Sequence, residues 1–148
     1  IINTEHGPKG GDEINFNFLN KNKTIPNFGW PISSLGSPYK GEEKIFKANG
    51  WLQKSHTENG FMEPFKYFTP AIGISEIIFT SSKKLYVSSL RAGSIYVLNL
   101  DSNYEKILKE DRLFFGNKRI RDLKFDQENN QFFVIFEYTP SIGVIKLN

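Results

Sequence analysis

The sequence predicts an all-β chain, on the evidence of its composition, its residue pattern and its turn chemistry. Aromatic residues make up 15% of the chain, with 14 Phe among 148 residues. They fall in short runs that alternate with polar residues, as half-buried strands do. Turn-forming Ser, Lys, Gly, Asn and Pro residues separate the runs, and apolar residues do not recur at helical spacing. The clearest strand candidates are residues 75–80, 85–90, 94–100, 104–109, 121–126, 132–138 and 142–147.

An internal repeat indicates how these strands are arranged. Residues 85–100, LYVSSLRAGSIYVLNL, align without a gap with residues 132–147, FFVIFEYTPSIGVIKL, at an offset of 47. A period of that length, with about four short strands in each repeat, is typical of a β-propeller blade. Two unrelated hairpins of similar composition are the alternative.

The repeat predicts a partial β-propeller of about two and a half to three four-stranded blades, forming a single domain over residues 1–148. Residues 71–118 are expected to form a full blade, and residues 119–148 a last blade without its fourth strand. Residues 1–70 are expected to form an incomplete blade with a long surface excursion.

The first 70 residues divide further. Residues 1–5 and 13–19 are predicted as the second and third strands of their blade, and the Asn-, Lys-, Gly- and Pro-rich stretch 20–70 as a fourth strand with the excursion. The chain begins with Ile1 rather than Met, so we expect a processed product or a piece of a longer protein. Propellers commonly close their ring by completing the last blade with an N-terminal strand, which removes an unpaired edge.

Composition excludes several classes of function. The 19 Lys and Arg residues against 16 Asp and Glu give a net charge of +3, and they are spread along the chain rather than gathered as nucleic-acid binding prefers. The absence of cysteine excludes disulfides, thiolate metal sites and cysteine nucleophiles. No apolar run approaches the ~20 residues of a membrane span.

Several unusual residues are predicted to share one rim. In an up-and-down blade, the loops after the second and fourth strands emerge on the same face, because each strand reverses the chain direction. Arg91, Arg119 and Arg121 belong to such loops, and guanidinium groups pair bidentately with carboxylates or phosphates. The rim is therefore suited to a polyanionic ligand, although any one of these arginines taken alone is more simply a solvated charge. The predicted loops are residues 7–11, 68–70, 91–93 and 118–121.

The carboxylates after the first glycine-rich turn have two interpretations. Asp12 and Glu13 could hold a hard cation together with carbonyl oxygens, or they could cap the turn by bonding to its backbone. Of the two histidines, His6 is expected to be structural and His56, within the polar excursion, to be solvated; a metal pair or catalytic dyad is the less favoured alternative.

Five motifs together resemble a known family. Their order is that of the C-terminal half of the soluble quinoprotein sugar dehydrogenases, and the chain resembles the aldose sugar dehydrogenase branch of the glucose/sorbosone dehydrogenase family. The resemblance covers essentially the whole chain. The motifs are EHGPKGGDEIN (5–15), NFGWP (27–31), PAIGIS (70–75), SLRAG (89–93) and RIRD (119–122).

The resemblance implies a six-bladed propeller that oxidises aldoses to lactones with pyrroloquinoline quinone (PQQ) and calcium. The main-chain carbonyls of Gly7 and Pro8 would hold the calcium that polarises the quinone. Glu13 and the Phe28 carbonyl would bind a separate structural calcium. Many relatives have Tyr where this chain has Phe28, which matters little if the ligand is the backbone.

The resemblance also assigns the arginines. Arg91 would stand where a Lys or Arg contacts PQQ, and Arg119 and Arg121 would clamp its carboxylates. The His general base and the Arg-Asn pair of the family's GHRNPQG motif lie in the N-terminal half, so no catalytic residue is expected in this chain.

Partners and location follow from the same resemblance. We expect an aldose substrate, a periplasmic or secreted location, and contact either with the missing N-terminal half or with a second copy through exposed blades. The chain alone is expected to be inactive. A non-catalytic propeller module that binds carbohydrate or protein is the alternative function.

Overall fold

The computed structural model describes residues 1–19 and 24–147 and is almost entirely β. The prediction of an all-β fold is confirmed; the expectations for residues 20–23 and 148 lie outside the described residues. Within the described residues, no helix is long and apolar enough to cross a membrane. The strands are β1 Ile2–Glu5, β2 Asp12–Phe16, β3 Lys66–Phe68, β4 Ile74–Phe79, β5 Lys84–Ser89, β6 Ser94–Leu100, β7 Ile107–Phe115, β8 Ile120–Asp126, β9 Gln131–Phe136 and β10 Ile142–Lys146.

The chain divides into two compact units, Ile1–Ile72 and Gly73–Asn148. The first unit contains one antiparallel sheet in the order β1-β2-β3, with Ile14 completely buried at its centre. Phe16 packs against Phe65, with ring centroids 4.4 Å apart. The single strand β3 therefore supplies the fourth-strand position that was predicted between residues 20 and 70.

The excursion between β2 and β3 carries little regular structure. It contains the short helix α1, Glu43–Ala48, and one 3-10 turn, Thr57–Asn59. Phe46 and Trp51 close the end of α1 with an edge-to-face contact at 5.5 Å. In its described residues the excursion is thus a series of short turns rather than a further sheet.

The second unit contains a four-stranded sheet in the order β4-β5-β6-β7 and a three-stranded sheet in the order β8-β9-β10. Within the described residues, a four-stranded and a three-stranded sheet are compatible with the expected full blade and the expected last blade without its fourth strand. The division of the chain into blades at residues 70 and 118 stays a prediction. The repeat is visible in burial, since Val87 and Val134, which are 47 positions apart, are both fully buried.

One predicted strand was placed wrongly. Residues 104–109 were expected to form the outer strand of the full blade, but β7 runs from Ile107 to Phe115. The Asp101 carboxylate accepts hydrogen bonds from the backbone N–H groups of Glu105 and Lys106, at 2.7 and 3.0 Å, and Tyr104 has φ 62°. This side-chain-capped turn holds the chain out of the sheet, so the strand begins later.

The core of the second unit lies between its two sheets. Phe132 is fully buried and contacts the rings of Tyr86 and Phe125, with centroids 4.6 and 4.9 Å away. Its neighbour Phe133 points to the other face and is 37% exposed. Strand alternation therefore decides which of two adjacent phenylalanines enters the core.

Replacing Phe132 with Ala should lower the free energy of unfolding by about 3 to 5 kcal/mol, because it leaves a cavity among aromatic rings. Phe133→Ala is the matched control and should cost about 1 kcal/mol or less. Chemical denaturation of both variants measures the difference. Equal losses would show that the alternation does not govern this core.

Candidate functional site

The turn between β1 and β2 is closed by the side chain that follows it. Asp12 is fully buried, and its Oδ1 accepts a hydrogen bond from the Gly7 backbone N–H at 3.0 Å. Gly10 and Gly11 have φ of 92° and 73°, and the Gly11 N–H donates to the Phe68 carbonyl at 2.8 Å. Asp12 therefore caps the turn, which supports the turn interpretation for this carboxylate.

Glycine is required in this turn by close backbone approach. A Cβ on Gly7 would lie 2.0 Å from the Gly10 carbonyl oxygen, and one on Gly11 would lie 2.3 Å from the Gly36 nitrogen. Reciprocal backbone hydrogen bonds between Lys9 and Ser37, at 3.0 and 3.2 Å, hold the two segments together. The turn is thus packed against the excursion by its main chain.

The carbonyl oxygens of Gly7 and Pro8 are available as ligands. Neither oxygen accepts a hydrogen bond from residues 1–19 or 24–147. Calcium takes backbone carbonyl oxygens readily. These two residues therefore fit the calcium that the resemblance implies, and that assignment stays a prediction.

Glu13 lies in an environment with excess negative charge. Its carboxylate is nearly fully buried, and this burial, together with the charges of Glu5 and Glu63, raises its pKa from 4.5 to about 7 despite a hydrogen bond from Asn15. Such a carboxylate gains from a nearby cation. Glu13 therefore fits a hard-cation site better than Asp12 does.

A small cavity lies beside Glu13. Its volume is about 10 Å³, at the lower limit for one water molecule. Trp30, two residues after Phe28, lines it together with His6 and Ser33. In the described part of the chain no three His, Asp or Glu residues are spaced to hold a metal. A calcium here would therefore depend mainly on carbonyl oxygens, and the role of the Phe28 carbonyl stays a prediction.

The expectation for the two histidines was wrong. His56 is fully buried rather than solvated, and the His6 side chain is 61% exposed. His56 Nε2 is 3.5 Å from Glu13 Oε1, and its Nδ1 is 3.4 Å from Glu63 Oε2. Glu63 also accepts hydrogen bonds from the backbone N–H groups of His56 and Thr57, both at 3.0 Å. Glu13 is distant from His56 in sequence, so the polar stretch around His56 gave no sign of its burial.

Arg119 and Arg121 converge on one carboxylate. Arg119 Nε donates to Glu137 Oε2, and Arg121 Nη2 donates to Glu137 Oε1. The Arg119 hydrogen bond holds the pKa of Glu137 below its ordinary value. The two guanidinium groups thus lie together, their predicted contact with PQQ stays a prediction, and Glu137 is a residue that the sequence analysis missed.

The backbone between these arginines is held from the opposite side. Ile120 is fully buried, and its carbonyl accepts a hydrogen bond from Ser75 Oγ at 2.7 Å. The register between β8 and β9 shifts between Ile120 and Asp122, which is a β-bulge. Bulges redirect side chains and are frequent beside active sites.

Arg91 occupies the turn between β5 and β6 and is exposed. The preceding Leu90 N–H donates to the Gly73 carbonyl at 2.6 Å, and a Cβ on Gly73 would lie 3.0 Å from the Arg91 nitrogen. The main chain at Arg91 is therefore fixed against the start of β4. The contact of Arg91 with PQQ stays a prediction.

The buried Glu13 predicts a pH dependence of stability. Its pKa is raised to about 7 in the folded chain from an ordinary value of 4.5, so between these values the Glu13 carboxyl holds more of its proton in the folded chain than in the unfolded chain. The contribution of Glu13 to the free energy of unfolding should therefore fall as pH rises through this window and level off above it.

Denaturation of the chain in EDTA between pH 4.5 and 8 measures this effect. Glu13→Gln should flatten the decline, and the exposed Glu58→Gln on the same excursion should keep the wild-type profile. Calcium added at pH 8 should stabilise the wild type more than Glu13→Gln. An equal calcium response in both would remove Glu13 from the set of metal ligands.

Comparison with known proteins identifies related sequences. A sequence profile described as Glucose / Sorbosone dehydrogenase matches residues 1–141. The aldose sugar dehydrogenase YliI of Escherichia coli K12 is 30% identical over 128 residues, covering 81% of this chain and 31% of that protein. An uncharacterised protein of Synechocystis is 28% identical, covering 82% of this chain and 28% of that protein. The chain thus spans about a third of the length of these relatives.

Solved structures support the fold. The soluble aldose sugar dehydrogenase of Escherichia coli in its apo form superposes with a TM-score of 0.71 at 26% identity, over 91% of this chain and 37% of that one. A glucose dehydrogenase structure gives a TM-score of 0.74 at 22% identity, over 98% of this chain and 40% of that one. The predicted partial β-propeller is confirmed. The relatives with assigned names are sugar dehydrogenases, which makes the family one of oxidoreductases, and this chain belongs to the glucose/sorbosone dehydrogenase family.

Proposed function

We propose that the chain is the C-terminal portion of a quinoprotein aldose dehydrogenase that oxidises sugars to lactones with PQQ and calcium. The observation that carries the proposal is the β1–β2 turn, where the carbonyl oxygens of Gly7 and Pro8 accept no hydrogen bond from a described residue. The family membership gives this turn its context, since the profile match begins at residue 1 and includes it.

The chain's own residues would bind and orient the cofactor. Gly7 and Pro8 would present carbonyl oxygens to calcium from a turn that backbone contacts keep rigid. Arg119 and Arg121 offer paired guanidinium groups, and Arg91 a third, to the carboxylates of PQQ. When bound, PQQ with its calcium would supply the acceptor for the hydride that leaves the anomeric carbon of the sugar.

In the proposal, the group that removes the proton from the sugar hydroxyl is not part of this chain. The general base is expected in the N-terminal half, so this chain alone should bind and orient without catalysing. The exposed His6 is not assigned as the base. The same family resemblance supports a periplasmic or secreted location and an aldose substrate.

Contact with further protein is supported by the outer face of the last blade. Val144 and Phe133 are opposite each other on β10 and β9, and they are 54% and 37% exposed. Ile142, which is also on β10, is 70% exposed. We expect this face to be covered by the missing N-terminal half or, when the chain is alone, by a second copy. A clean monomer by light scattering would count against self-association.

The full-length protein that contains this chain should reduce a dye in the presence of an aldose only after reconstitution with PQQ and Ca²⁺. Omission of calcium should lower the rate by about 100-fold or more, since a Lewis-acid metal contributes several kcal/mol to the transition state. Glycerol in place of the aldose is the substrate control. PQQ binding without dye reduction would instead support a non-catalytic binding module.

A further inference from the structure

We propose that Glu137 is a positioning residue that fixes the guanidinium groups of Arg119 and Arg121 as one preformed receptor for a ligand with several carboxylates. The inference rests on the proposed function in one respect, because PQQ is taken as that ligand. Nothing in the sequence motifs assigns a role to Glu137, which lies just after β9 and outside RIRD.

Glu137 is placed by the backbone before its side chain acts. Its N–H donates to the Arg119 carbonyl at 2.9 Å, which continues the pairing of β9 with β8 beyond Phe136. The side chain is only 18% exposed, so it lies against the sheet rather than in solvent. From that position each of its two oxygens meets a different arginine.

The contacts leave binding capacity on both arginines. Arg119 uses its Nε and Arg121 one terminal nitrogen, whereas a guanidinium carries five N–H donors. Donors not used by Glu137 are available for an incoming carboxylate. The two cations and one anion leave a net charge of +1, so the cluster still attracts anions.

The geometry also restricts how the arginines move. The Ser75 hydrogen bond to the Ile120 carbonyl holds the backbone between them. The Arg119 guanidinium lies over the Tyr138 ring, 5.5 Å from its centroid. With Glu137 bridging the two guanidinium groups, long side chains that would otherwise lose much freedom on binding are already ordered.

Two roles for Glu137 predict opposite outcomes. If Glu137 orders the arginines, its neutralisation leaves two cations that repel and disperse, and ligand affinity falls. If Glu137 merely competes with the ligand for the arginines, its neutralisation releases them, and affinity rises. The sign of the change in Kd therefore decides between positioning and autoinhibition.

The test is the Kd of the full-length protein for PQQ in the presence of Ca²⁺, and separately for benzene-1,3,5-tricarboxylate in EDTA, by calorimetric titration. Glu137→Gln should raise both Kd values by about tenfold or more, as loss of an ordered charge pair does. Glu137→Asp should recover part of the affinity. Glu128→Gln makes the same change in net charge on an exposed turn of the same unit, and should stay within about twofold.

A double-mutant cycle measures whether Glu137 acts through Arg121, and unfolding midpoints show whether a variant is misfolded. Arg121→Gln and Glu137→Gln together should cost less affinity than the sum of the single changes, with the thermal unfolding midpoint of each variant recorded. Strict additivity, or an unchanged or lower Kd in Glu137→Gln, would overturn the proposal. If the wild type binds the tricarboxylate but not PQQ, with affinity dependent on Glu137, the proposed function fails and the positioning role stands. Binding of neither ligand by the wild type overturns both.

Discussion

The alternation of buried and exposed side chains along β9 is the constraint on which the second unit depends. Phe132 and Val134 enter the core and Phe133 does not, which sets one register between β9 and β8. A shift by one residue would turn the buried set outward, so the register is strongly specified. Glu137 meets Arg119 only in that register. The hydrophobic core thus determines the geometry of a polar cluster at the end of the strand.

In the first unit, the turn between β1 and β2 depends on glycines, which have no side chain, rather than on side-chain packing. Gly7 and Gly11 allow two backbone segments to approach more closely than any Cβ would permit. The turn is then held by main-chain hydrogen bonds and by buried Asp12, while the carbonyl oxygens of Gly7 and Pro8 accept no hydrogen bond from a described residue. Both units therefore place possible ligand-binding groups at the ends of strands, on frameworks fixed by non-polar or backbone contacts.

Features set by local residues could be predicted from the sequence, and those set by distant ones could not. The strand Ser94–Leu100 was predicted at its observed bounds because alternation and flanking turns mark it. The burial of His56 depends on Glu13, more than forty positions away in the chain, and no local pattern carries that information. Glu137 was missed for a related reason, since its repeat counterpart is the apolar Leu90, so the repeat predicts no charge there.

The repeat leaves one mismatch between sequence and surroundings. Ile95 and Ile142 are equivalent positions in the two blades, yet Ile95 is fully buried and Ile142 is 70% exposed. The strand β10 thus carries the residues of an interior while standing at the surface. An exposed apolar strand of this kind is a feature of folding intermediates, which chaperones recognise. While β10 is uncovered, we expect the chain to be open to aggregation and degradation as such intermediates are, whatever its intrinsic stability.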